Sequence, residues 1–530
     1  MVVLQLRVSA SFLLIVLQLL LVLGSCRDLN IVDASINDIQ RAFTQRDLTS
    51  LQLVDFYLER IQALNPLLRA VIEVNPDARA EAEKADKERE ENSERKRSMM
   101  HGIPVLLKDS ISTKDKLNTS GGSYALLGSV VARDAGVVER LRTAGAVILG
   151  KSSMSEWYHF RSMSIPDGWC PRSGQGMNAY VEGGNPCGSS SGSAISVAAN
   201  MATVSLGTET DGSIFCPADY NSVVGIKPTV GLTSRSGVIP LSPRQDTVGP
   251  IARTVSDAVY ALDAIVGFDP RDSEATQPAS YFIPKAGYKQ FLNKNGLNGS
   301  RLGVVRHPFL ALSKRSLAIP VLEAHLQTLR ENGAIIIDNL EIPNINVILD
   351  PYQSGELVAL LAEFKLSLND YLQQQLITSP VRSLADIIDF INNNPKLEST
   401  KDFNGLEILA GAELTNGMRD EEKKGMEMMQ TLSRDGYEKM MIDNELDAMV
   451  TIGSAASTVL AIGGYPGITV PAGYDTDGMP FGLFFGGLKG MEPKLIQLSY
   501  AFEQATMIRR PPFPTIQHPY HYHSHHCLVK

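Results

Sequence analysis

The sequence predicts an α/β protein whose parallel or mixed β-sheet is covered by helices. Residues 101–150 alternate short apolar strands with helical text, the rhythm of βαβ units that bury a sheet between helical layers. Strand-like runs return late in the chain, at 448–452, 467–470 and 481–485, so one sheet is assembled from both ends of the sequence. No stretch repeats at a fixed period, which removes solenoids and propellers.

The elements follow in order. Arg7 precedes an apolar run from Phe12 to Leu23, and Gly24-Ser25-Cys26 closes it. The run is short for the roughly 20 residues of a bilayer crossing, and its charged start and small-residue end predict a signal peptide over 1–26 rather than a retained anchor. Removal leaves Cys170, Cys187, Cys216 and Cys527 in an oxidising compartment, where pairing is not fixed by sequence. The sequons at Asn118 and Asn298 are candidate glycosylation sites on the same route. The expected location is the secretory pathway, with the product secreted or vacuolar.

Apolar residues then recur at helical spacing from Ile36 to Leu64, with Thr49-Ser50 as a cap before the second helix. Residues 77–98, rich in Ala, Glu, Lys and Arg, read as a solvated helix. Ile103–Leu107 predicts a strand, Val137–Ala144 a helix and Ala146–Gly150 a second strand. A Gly- and Ser-rich stretch at 165–193 interrupts this rhythm. From about 270 to 440 the text is mostly helical, with a strand at 301–305, and reads as a helical insertion between the two groups of sheet strands. The main domain therefore spans 27–510, with core motifs at 101–255, and 511–530 is a Pro- and His-rich tail. Five of the nine histidines lie in that tail, but a frayed end gives a metal no rigid frame, and no metal site is predicted.

Composition limits function. The 530 residues carry 49 Lys+Arg against 58 Asp+Glu, with 44% apolar and 20% charged residues, which excludes a disordered, collagen-like or multi-pass membrane chain. The net charge of −9 is the wrong sign for a nucleic-acid partner. Five cysteines are too few for a disulfide-built scaffold.

The chemistry lies in Pro186-Cys187-Gly188-Ser189-Ser190-Ser191-Gly192-Ser193, which runs into the buried-helix pattern Ala194–Ala199, and in Leu206-Gly207-Thr208-Glu209-Thr210-Asp211-Gly212-Ser213. Small residues before a helix let backbone N–H groups approach a reacting oxygen, as a phosphate cradle or an oxyanion hole. The Gly-Lys-Ser/Thr ending of a P-loop is missing, so the phosphate reading falls. Only four histidines lie outside the tail and no Gly-x-Ser-x-Gly elbow is present, which leaves a Ser-His-Asp triad without support. A lysine kept neutral by burial can be the base, and Lys108 follows an apolar strand. Cys187 and Cys216, which flank the serines, read as small packed residues rather than nucleophiles.

These motifs resemble the amidase signature family. Val105-Leu106-Leu107-Lys108-Asp109, the two serine segments, Val224-Gly225-Ile226-Lys227-Pro228-Thr229, Asp246-Thr247-Val248-Gly249-Pro250 and Gly464–Pro471 carry the likeness. Ser155-Glu156-Trp157 and Glu209-Thr210-Asp211-Gly212-Ser213 point to secreted peptide amidases and plant-type amidases. The resemblance implies a single catalytic domain with a large twisted mixed sheet and helices on both faces. It implies Ser213 as nucleophile, Ser189, after a cis peptide bond, as proton bridge, and Lys108 as base. The backbone of Thr210, Asp211, Gly212 and Ser213 would form the oxyanion hole. Gly188, Ser190, Trp157 and Trp169 are candidate substrate contacts. No cofactor is implied, and the partner is a small-molecule or peptide amide, without stable membrane insertion once the leader is removed. Two departures stand out: Glu209 where many members have Asp, and Ser110 where an Asn is usual. The competing expectations are a membrane-associated fatty-acid or N-acyl amide hydrolase, the amidase-type component of a glutamyl-tRNA amidotransferase, and a non-catalytic binding protein on the same fold.

Overall fold

Apolar β-branched runs and Gly-rich turns fold here into one large sheet. The computed structural model describes residues 31–91 and 97–512, so the signal peptide at 1–26 and most of the tail at 511–530 lie outside the described residues. Among the described residues there are fifteen strands: β1 (Val71–Val74), β2 (Pro104–Lys108), β3 (Val130–Val131), β4 (Val147–Ser152), β5 (Trp169–Cys170), β6 (Gly174–Gln175), β7 (Val204–Glu209), β8 (Val224–Lys227), β9 (Thr247–Ala252), β10 (Arg301–Val304), β11 (Ile335–Ile337), β12 (Leu376–Thr378), β13 (Ala448–Ile452), β14 (Gly467–Tyr474) and β15 (Pro480–Gly486).

Eleven of them form a mixed sheet in the order β1-β4-β2-β7-β9-β8-β14-β15-β13-β10-β11. β2 runs parallel to both β4 and β7, with Leu107 opposite Leu206, whereas β7, β9, β8, β14 and β15 pair antiparallel in turn. Strands from both ends of the sequence thus meet in one sheet, with helices on both faces. β10, the strand expected at 301–305, and β11, which the sequence does not predict, extend its far edge. β12, from the same segment at 270–440, pairs with β3.

Helix boundaries follow their caps. Thr49 accepts from Gln52 N, and Gln52 answers to the Thr49 N–H, a capping box that starts helix Ser50–Leu68. The Ala-rich text becomes helix Ser191–Ala198, buried along its whole length. Gly192 sets its depth: a Cβ there would lie 2.3 Å from the Ala70 carbonyl oxygen, so only glycine lets the helix start against that backbone.

The main apolar core lies along the sheet. A separate apolar cluster joins Phe364, Leu368, Tyr371, Leu384, Ile387 and Ile391 of the insertion to Trp157 and Ile239 beside the serine loops. At this seam Arg161, fully buried, donates to Glu156 Oε2 at 2.6 Å, to the Glu398 carbonyl at 2.7 Å and to the Gly405 carbonyl at 3.0 Å. No helix among the described residues is long and apolar enough to cross a membrane.

Candidate active site

Three side chains from separate elements converge beside the ends of β2 and β7. Lys108 closes β2, and its Nζ lies 2.8 Å from Ser189 Oγ and donates to the Thr208 carbonyl at 3.0 Å. Ser189 Oγ lies 2.9 Å from Ser213 Oγ. The Gly188–Ser189 peptide is cis. Exposure falls along the row: 7% for Ser213, 1% for Ser189 and none for Lys108, so the row runs inward from the serine nearest solvent. Burial drives the Lys108 amine well below the ordinary lysine range, against the pull of Glu209 and Asp246. The Tyr158 ring sits 5.0 Å from the Lys108 nitrogen.

The loop before Ser213 is gripped from several directions. Glu209 Oε2 accepts the N–H groups of Ile214 at 2.6 Å and Phe215 at 3.0 Å, which closes a tight turn around Ser213. Burial pushes the Glu209 carboxyl up to about 7, opposed by Lys227. Thr210 Oγ1 donates to Asp246 Oδ1 at 2.6 Å, and Thr458 Oγ1 donates to Asp211 Oδ2 at 2.6 Å. Gln245 Nε2 donates to Glu356 Oε1 at 2.7 Å and to the Thr210 carbonyl at 3.4 Å. Gly212 takes φ of 75°, a left-handed conformation that glycine adopts freely. Within the described residues, no protein acceptor meets the backbone N–H groups of Thr210, Asp211, Gly212 or Ser213. They can serve an oxygen that arrives.

The structure therefore brings together Lys108, Ser189, Ser213 and the 210–213 backbone. Gly188 and Ser190 flank the row: Ser190 N donates to the Ser213 carbonyl and Ser190 Oγ to the Thr208 carbonyl. Both aromatic candidates are buried. Trp157 is fully buried in the apolar cluster beneath the insertion, the packing of a core residue. Trp169, 5% exposed, meets Phe403 with the rings tilted and their centroids 5.6 Å apart. Asp109 accepts from Ser120 Oγ and Gly122 N and holds the 120–122 turn. Gln245, Glu356, Thr458 and Tyr158 carry no signal of their own in the sequence, and only contiguity with the Asp246 motif points to Gln245.

One expectation is corrected. Cys187 and Cys216 are not separate packed thiols: they form a disulfide with Cα atoms 5.7 Å apart. The two serine motifs carry both cysteines within hydrogen-bonded neighbouring segments, which is what lets them pair. Asn118 Nδ2 donates to Glu73 Oε1 at 3.0 Å, whereas Asn298 is exposed. Among the described residues no group of three or more His, Cys, Asp or Glu is arranged to hold a metal ion.

A buried lysine–serine–serine row beside unpaired N–H groups is equipped to acylate a serine, and comparison with known proteins gives the class. The amidase family model matches residues 52–496, and the chain belongs to the amidase family. It is a hydrolase acting on amide C–N bonds. A probable amidase of Arabidopsis thaliana is 61% identical over 484 residues, covering 91% of this chain and 92% of that one. The crystal structure of native peptide amidase from Stenotrophomonas maltophilia matches with a TM-score of 0.84 and 42% identity, over 91% of this chain and 99% of that one. The crystal structure of an amidase family protein from Bacillus anthracis matches with a TM-score of 0.84 and 34% identity, over 92% of this chain and 96% of that one.

Proposed function

We propose that the chain hydrolyses carboxamides, peptide C-terminal amides among them, through an acyl-enzyme on Ser213. The observation that carries this reading is the unbroken buried row Lys108 Nζ–Ser189 Oγ–Ser213 Oγ at 2.8 and 2.9 Å. Lys108, kept neutral by burial, turns its lone pair to Ser189. As Ser213 Oγ attacks the carbonyl carbon, its proton passes to Ser189 Oγ, and the Ser189 proton passes to Lys108 Nζ. The oxyanion takes N–H bonds from the 210–213 loop, where one essential donor contributes about 3–4 kcal/mol. When the C–N bond breaks, Ser189 gives its proton to the leaving nitrogen and regains one from Lys108. Ammonia departs from a primary amide. Water then attacks the ester, and the same relay returns Ser213.

Likeness to the peptide amidase supports peptide amides as substrates, and a homologous peptide amidase has been solved with the competitive inhibitor chymostatin. The disulfide and the exposed sequon at Asn298 support passage through the secretory pathway. The test is ammonia release from aliphatic, aromatic, fatty and peptide amides. Peptide amides should turn over fastest, and Ser213→Ala should remove about 10⁴-fold or more of the rate while the protein stays folded. Full activity in that variant refutes the nucleophile assignment, and preference for long acyl amides refutes the substrate.

A further inference from the structure

Each end of the disulfide lies beside one of the two serines. Cys187 is two residues before Ser189, and Cys216 is three residues after Ser213. Between Cys187 and Ser189 stands only Gly188, where a Cβ would fall 2.3 Å from Ser155 Oγ. No side chain can anchor the backbone at that point, so Cys187 is the last side-chain anchor upstream of Ser189. On the other side Cys216 lies in the first turn of helix Phe215–Tyr220, just after the N–H groups that Glu209 accepts, with its own N–H on the Gly212 carbonyl at 2.8 Å. The bond therefore ties the two serine segments to each other directly upstream of Ser189 and downstream of Ser213.

We propose that the Cys187–Cys216 disulfide is a positioning element for the reaction: it holds Ser189 in line between Lys108 and Ser213, and turnover depends on its being oxidised. The proposal rests on the proton relay described above. The neighbouring ties are weaker and lie to either side. Asn221 Nδ2 donates to the Pro186 and Pro217 carbonyls at 2.9 and 2.8 Å, and Ser190 N donates to the Ser213 carbonyl at 3.1 Å. Ser155 N donates to the Ser189 carbonyl at 3.0 Å, and Cys187 N donates to Asn185 Oδ1 at 2.7 Å. These bonds keep each segment seated without the disulfide, but none of them links the backbone of Cys187 or Gly188 to residues 213–216. A displacement of about 1 Å in a reacting group costs up to about a hundredfold in rate. Cys216 is half-buried and Cys187 8% exposed, and the reductant to use is a small dithiol. In that step the dithiol supplies two electrons and two protons. The bond between Cys187 and Cys216 breaks, each sulfur becomes a thiol, and the two sulfurs of the dithiol join in a cyclic disulfide.

The experiment reduces the full-length enzyme with dithiothreitol, verifies two new thiols by mass, and follows circular dichroism together with kcat and KM on a peptide amide. The expected result is a fall in kcat of about tenfold or more with KM changed less than about threefold, an unchanged fold, and recovery on reoxidation. A Cys187→Ser/Cys216→Ser double variant should show the same low kcat and no response to dithiol. Cys170→Ser, which removes the one free cysteine among the described residues, should respond like the unmodified enzyme. A reduced, folded enzyme that keeps kcat within about twofold overturns the proposal. So does loss of activity only in step with global unfolding, because the bond would then be a staple and nothing more. If the double variant does not fold, reversible reduction of the native enzyme decides alone. Failure of the relay itself is separate: Ser189→Ala and Lys108→Ala would then stay active, whatever dithiol does.

Discussion

The strands that carry the row and the helical insertion bury different things. Around β2, β4, β7 and β8 the interior holds ionisable groups: Lys108, Asp109, Lys151, Glu209 and Lys227 are all essentially without exposure. Each has partners. Lys151 donates to the Ile111 carbonyl and Thr119 Oγ1, and Lys227 to the Tyr465 carbonyl. The insertion cluster is instead made of Phe364, Leu368, Leu372, Leu384, Ile387, Ile391 and Leu409. The insertion also leaves large apolar side chains in water, Leu414 at 80% among them. A buried polar group without its partner costs about 1–3 kcal/mol, whereas apolar packing accepts volume-conserving exchange. The sheet side is specified residue by residue, and the insertion is held by area plus a few polar ties, the seam at Arg161 and the Gln245–Glu356 and Ser242–Glu363 bonds among them.

The largest effect should come from breaking the sheet side at Lys108. Lys108→Met should cost about 10⁴-fold in kcat/KM while thermal stability holds or rises, since an amine that burial disfavours is replaced by an apolar chain. In the unmodified enzyme the sign follows from the lowered pKa. Protonation removes the base, so kcat/KM falls as pH drops through the lysine's pKa and levels off above it, and Lys108→Met should lack that limb. A pH–rate profile measures both.

Next is the seam. Arg161→Ala leaves Glu156 and Glu398 buried against each other. Burial, with Glu398 beside it, already holds Glu156 well above the usual carboxyl range despite Arg161. Losing the guanidinium should cost about 3–5 kcal/mol, read from the urea midpoint, with new proteolytic cleavage within residues 395–407. A midpoint unchanged by this variant would show that the Arg161 seam does not help to seat the insertion. The smallest effect belongs to the insertion surface. Leu414→Ser should change stability by less than about 0.5 kcal/mol and leave kcat/KM alone, and a larger change would mean that this face is packed in the working enzyme.

Legibility in the sequence divides along the same line. β2, β4, β13, β14 and β15 are readable because their Val, Ile, Leu and Phe runs are contiguous. β7, β8 and β9 are not, since Gly207, Gly225, Gly249 and Pro250 dilute the signal and tertiary burial, not propensity, makes them strands. Lys108, Ser189 and Ser213 stand out through short motifs at fixed spacing. Their supports do not: Thr458 reaches Asp211 across 247 positions and Glu356 reaches Gln245 across 111, distances at which only the fold defines neighbours. The cysteine pairing is hidden for the same reason.

The parallel pairing of β2 with β7, with Leu107 set opposite Leu206, acts as a ruler for the gene as much as for the protein. Side chains alternate between faces along a strand, so deleting one codon in β2 would carry Lys108 to the opposite face. No repacking nearby could return its amine to Ser189. Codons for the turn at 416–418, between two helices of the insertion, carry no such ruler and can be gained or lost in multiples of one. Length variation among descendants of this gene should therefore collect in the turns of the insertion and spare the stretch from β2 to β9, leaving one part of the coding sequence free to vary while the other keeps the reaction unchanged.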